Sequence, residues 1–88
     1  MTNIVFKPGT LMKLRPNMGG EFSVWDKDRI FSSTQEAVVS NHEVFMFLYA
    51  HSIKNQNLKN NENVYVCLCG TQMVPFFYSE IVEVKSGV

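Results

Sequence analysis

Val44-Phe45-Met46-Phe47-Leu48-Tyr49 and Val64-Tyr65-Val66-Cys67-Leu68-Cys69 decide the fold of this chain. Each is a short run rich in β-branched and aromatic residues, too short to hold as an isolated helix, and each reads as a β-strand. The polar segment between them, residues 52–63, is crowded with Asn and Lys and reads as a long exposed hairpin loop.

Working outward, Gly70-Thr71 forms a tight turn, Met73-Val74 a further short strand stopped by Pro75, and Ile81-Val82-Glu83-Val84 a closing strand before a frayed 85–88. On the other side, Pro8-Gly9 marks a turn before a strand at 10–15, with Met12 and Leu14 on one face. Pro16-Asn17-Met18-Gly19-Gly20 breaks the chain, Phe22 to Trp25 is extended, and Asp26 to Arg29 is a charged loop. Residues 32–43 admit two readings. Ser33 and Glu36 fit a helix capping box, but the run is short and Val38-Val39 favour extended geometry, so a strand at 37–39 turning at Ser40-Asn41-His42 is preferred. Strands separated by turn signals, with no long helical period between them, predict an all-β domain: a small barrel of five to six short antiparallel strands.

Length and charge narrow the functions available. With 88 residues the chain is read as a single domain, 1–88, without a cleft between two halves. Eight cations balance eight anions. Long-range attraction to nucleic acid or an anionic membrane is therefore not the default. No cationic start precedes an apolar stretch, and the longest apolar run, 44–50, is far below the roughly 20 residues of a spanning helix, so a cytoplasmic, membrane-free protein is expected.

The stretch Met73-Val74-Pro75-Phe76-Phe77-Tyr78-Ser79-Glu80-Ile81 resembles the closing signature of Src-homology-3 domains. That signature is an apolar strand, a Pro, two spacers, a Tyr and an apolar residue after one helical turn. The resemblance extends over residues 37–84. It implies an SH3-like barrel, with a peptide groove built on Pro75 and Tyr78, where rings stack on a proline-rich ligand. The acidic, tyrosine-rich opening motif is missing, Val64-Tyr65 replaces the usual Trp, and Gln72 stands at a usual Gly. The barrel is thus implied more firmly than the ligand. Trp25 is a candidate replacement in the groove.

Alternation along the two deciding strands sorts their side chains. One set is aliphatic: Val44, Met46 and Leu48 with Val64, Val66 and Leu68. The other carries rings and sulfur: Phe45, Phe47 and Tyr49 with Tyr65, Cys67 and Cys69. A small barrel has one interior. The aliphatic set is expected to fill it, leaving the aromatic set outside. Burying two Phe side chains is worth on the order of 3–6 kcal/mol, so such a face needs a cover. Either the chain's own segments around Ile4-Val5-Phe6 or Phe31 supply it, or a second subunit or partner does. Phe45, Phe47, Tyr49, Tyr65, Pro75 and Tyr78 are therefore the expected partner-binding residues. The expected partner is a protein or peptide, including a second copy of the chain.

Catalytic and metal chemistry find little support. Cys67 and Cys69 sit i, i+2 on a strand, wrong for a zinc turn and at the limit of disulfide reach, and they read as packed thiols. His42 and His51, at opposite ends of a strand, are about 30 Å apart if it is fully extended. Glu80 and Glu83 read as surface acids, and Gly19-Gly20 lacks the Lys and Ser/Thr of a phosphate loop. No cofactor and no enzyme activity are expected. The alternative function is nucleic-acid binding through Lys13, Arg15 and the 52–63 loop with Lys54 and Lys59.

Overall fold

The computed structural model describes residues 6–53 and 62–84. Seven strands and one short 3-10 turn follow in order: β1 Leu11–Leu14, β2 Gly20–Asp26, β3 Ile30–Val39, β4 Val44–Ile53, β5 Glu62–Cys69, β6 Gln72–Phe77, the turn Tyr78–Glu80 and β7 Ile81–Glu83. All pairings are antiparallel. The fold is all-β, a small barrel-like arrangement of two sheets. Five strands run in the order β6-β5-β4-β1-β7, and β2-β3 form a hairpin beside them.

Residues 30–39 form one long strand, so the region with two readings is extended, as preferred from Val38-Val39. The two expected segments at 22–25 and 37–39 lengthen into β2 and β3, and the described residues hold seven strands where five to six were expected. Its turn is held by Asp26, whose Oδ1 accepts from the N–H groups of Asp28 at 2.8 Å and Arg29 at 3.3 Å. Lengthening of β4 to Ile53 and an early start of β5 at Glu62 shorten the connection read at 52–63. The remainder of that loop lies outside the described residues, as do Ile4, Val5 and the C-terminal 85–88.

The interior corrects the expected assignment of faces. Phe45 is 2% exposed, Phe47 1% and Tyr65 4%, and they pack with Met12, Leu14, Ala37, Val39, Cys67, Cys69, Val74, Phe76 and Ile81. Phe45 stacks on Phe76 at 4.9 Å, and Phe22 meets Phe76 edge-on at 5.0 Å. The aromatic set fills the barrel and the aliphatic set lies outside it. Large rings make one small core sufficient, since each buries 150–250 Å². The internal cover allowed for in the sequence is present: Phe6 closes the core against Phe47 at 5.8 Å and Tyr65 at 5.7 Å.

Tyr49 parts company with its two neighbours. The register of β4 against β5 slips between Phe47, opposite Cys67, and Tyr49, opposite Val66. The extra residue reverses the alternation, so Ala50 turns inward beside the core and Tyr49 turns out. Two rows on this outer face, Tyr49–Val66–Pro75 and His51–Val64–Phe77, lie beneath the hairpin tip. Trp25 rests on Tyr49 at 6.0 Å and on His51 at 5.4 Å, and Phe31 packs on Phe77 at 5.5 Å. Val64 and Val66 are fully buried as a result. The middle of β5 is therefore covered on both faces.

Asn41 ties two connections together. Its Nδ2 donates to the Arg15 carbonyl at 2.8 Å, and its Oδ1 accepts from Gly19 N–H at 2.9 Å. A Cβ at Gly19 would stand 2.7 Å from that oxygen, which is why the close approach needs glycine. Asn41→Ala should lower stability by about 1–3 kcal/mol, the loss of two bonds at a part-buried site. Thermal unfolding measures it, and a variant as stable as wild type would show the bracket to be idle.

Candidate interaction face

The bare part of the five-stranded sheet lies on the outer face, away from the hairpin tip. Leu11 on β1 pairs with Met46 on β4, Met46 with Leu68 on β5, and Leu68 with Met73 on β6. The row continues to Val84, whose N–H donates to the Leu11 carbonyl at 2.9 Å. Leu11 is 48% exposed, Met46 39% and Leu68 36%, and Val44, one step along β4, is 49% exposed. Lys13, opposite both Val44 and Val82, stands beside this row. An apolar row crossing four paired strands is a contiguous patch, distinct from singly scattered apolar residues.

Six residues were expected to bind a partner, and they separate into two groups. Phe45, Phe47, Tyr65 and Pro75 are corrected to the interior: all four are buried, the first three by the barrel core and Pro75 under the hairpin. Tyr49 and Tyr78 remain exposed. Tyr78, on the 3-10 turn, stacks on Phe6 at 6.0 Å and lies 5.8 Å from Tyr65, while the guanidinium carbon of Arg15 lies 6.0 Å from its ring centre. The turn is fixed by Glu80, whose carboxylate accepts from Phe77 N–H at 2.8 Å. Trp25, the candidate for the peptide groove, instead packs on Tyr49 and His51.

Cys67 and Cys69 are free and buried, on the inner face of β5 rather than the outer one. The Cys67 thiol donates to the Tyr65 carbonyl at 3.7 Å. Burial raises both thiols above their ordinary range. The neighbouring Cys69 adds to the effect at Cys67, and Glu43 adds to it at Cys69, which is pushed up to about 12. Among the described residues no three His, Cys, Asp or Glu side chains form a group able to hold a metal ion. No helix there is long and apolar enough to cross a membrane. A shallow groove runs between the β1–β2 and β3–β4 connections, lined by Lys13, Leu14, Pro16, Asn17, Asn41 and His42. Lys54 and Lys59 lie outside the described residues, so only Lys13 and Arg15 of the expected nucleic-acid set can be placed.

No family model, no curated protein and no solved structure matches this chain.

The exposed row is not visible in the sequence of any one strand. Alternation alone places Val44, Met46 and Leu68 in the interior, on the expectation that aliphatic groups fill a single barrel. Pairing is what identifies them: Leu11, Met46, Leu68 and Met73 are neighbours only once the register is known.

Proposed function

We propose that this chain is a non-catalytic SH3-like barrel that serves as a protein interaction or assembly module, with the row Leu11–Met46–Leu68 and the adjoining Val44 as its contact surface. The observation that carries this reading is the continuity of the row across β1, β4 and β5, on the part of the sheet that the hairpin leaves bare. Kinship with Src-homology-3 domains draws support from the sheet order β6-β5-β4-β1-β7 and from a 3-10 turn between the last two strands, at the Tyr of the resembling signature. Each of the four side chains is between a third and a half exposed, so covering it is worth on the order of 1 kcal/mol. A second copy is the simplest cover. The chain has no net charge to repel its own kind, and β4, the middle strand of the five, carries Met46 at the centre of the row.

Sedimentation or light scattering over a wide concentration range tests the proposal. Wild type should gain mass with concentration, while a Met46→Lys, Leu68→Lys variant should stay at the monomer mass of 10.1 kDa with unchanged circular dichroism. A wild type that remains monomeric at millimolar concentration would remove the self-assembly reading. Nucleic-acid binding draws weaker support, from Lys13 and Arg15 alone, and would appear as salt-sensitive retention on a nucleic-acid column.

A further inference from the structure

Arg15 is held firmly at its backbone. Its N–H donates to the Glu80 carbonyl at 3.0 Å, and its own carbonyl accepts from Asn41 Nδ2 at 2.8 Å and from Met18 N–H at 3.2 Å. The side chain then lies against the Tyr78 ring, half-buried. There its Nε is shielded from solvent and has no hydrogen-bond acceptor. The acid on the adjoining turn, Glu80, spends a carboxylate oxygen on the Phe77 N–H. Shielded donors in folded proteins are nearly always paired, and an unpaired one needs an explanation. A guanidinium laid on an aromatic ring is also pre-organised, so less freedom is lost when a planar two-oxygen acceptor binds its edge.

We infer that Arg15, with the Tyr78 ring beside it, is a recognition site for a carboxylate carried by a partner protein or peptide. One guanidinium suffices for one carboxylate. A nucleic acid needs many phosphates neutralised, and β1 carries a single cation, Lys13, beside this arginine. The site is separate from the apolar row: its ligand chemistry is polar, and the two are tested by different residues and different readouts.

The chain has two arginines, Arg15 and Arg29, so the Nε–Hε region of a nitrogen–proton correlation spectrum holds a single signal besides the one of interest. Arg29 is exposed, donates from Nη1 to Ser33 Oγ at 3.4 Å, and serves as the internal control. Titration with sodium acetate, and separately with tetraglutamate, should move the Arg15 signal along a saturating curve and leave that of Arg29 nearly still. Arg15→Lys keeps the charge but loses Nε, and should weaken tetraglutamate binding about tenfold or more, read from the Tyr78 ring resonances. If that variant does not fold, the wild-type titration decides alone. Equal movement of both arginine signals, or movement of neither, would overturn the site. Stronger response to short single-stranded DNA than to tetraglutamate would overturn the carboxylate assignment in favour of phosphate.

Discussion

Phe47→Ala should cost about 3–5 kcal/mol of folding free energy. Phe47 is 1% exposed and touches Phe6 and Tyr65, so its removal deletes ring contacts on two sides and leaves a cavity that a seven-strand barrel closes poorly. A domain of this size holds only a small margin, and the loss is comparable to all of it. Met46→Ala, one residue away on the same strand, removes a side chain already 39% exposed and should cost less than about 1 kcal/mol. Urea titration followed by the fluorescence of Trp25, the single tryptophan, reads both. Similar costs for the two variants would mean that the inside and outside of β4 have been exchanged.

The second large effect concerns the buried thiols. Only the thiolate reacts with a disulfide reagent, and Cys69, pushed up to about 12, is almost wholly protonated at pH 8. An ordinary thiol at 9.0 carries roughly a thousand times more thiolate at that pH, so native protein should react about a thousandfold more slowly than the chain unfolded in urea. The same shift sets a pH dependence with a definite sign. Both folded thiols hold their protons more tightly than unfolded ones, so their contribution to stability is complete below about pH 9 and declines as the pH rises above it. The decline is about 1.4 kcal/mol per pH unit for each thiol. The urea midpoint of wild type should therefore drop steeply between pH 9 and pH 11, and that of Cys67→Ala, Cys69→Ala should drop less. Rapid labelling of native protein at pH 8 would show that the inner face of β5 opens far more readily than its packing implies.

Much of the architecture could be read from local signals. Turn residues at Pro8-Gly9, Pro16 to Gly20, Ser40 to His42 and Gly70-Thr71 delimit strands that the structure places where expected, and the extended preference of Val38-Val39 outweighs the capping box at Ser33. The facing of those strands could not be read. Alternation divides β4 and β5 into two sets but does not say which set is inside, since both are apolar. That choice depends on residues far away in sequence: Phe6, Met12, Ala37 and Val39 add themselves to the aromatic side, and Trp25 and Phe31 cover the rest. The slip at Leu48 is likewise invisible locally, because it exists only in relation to β5. For the same reason Pro75 and Tyr78, three residues apart, end on opposite sides of the surface, one covered and one open.

The place of β1 between β4 and β7 bears on how this molecule comes into being. Leu14 pairs with Ile81, so the first of the described strands completes its ladder only with the last of them. Loop closure over such a span is entropically expensive and slow relative to joining neighbouring hairpins. During synthesis the β2–β3 hairpin and the three-stranded β4–β5–β6 unit can form first, leaving Met12 and Leu14 without their final neighbours until β7 has cleared the exit tunnel. Nascent chains arrested before β7 emerges should consequently remain sensitive to protease, and chains extended until β7 has emerged should become resistant in one step.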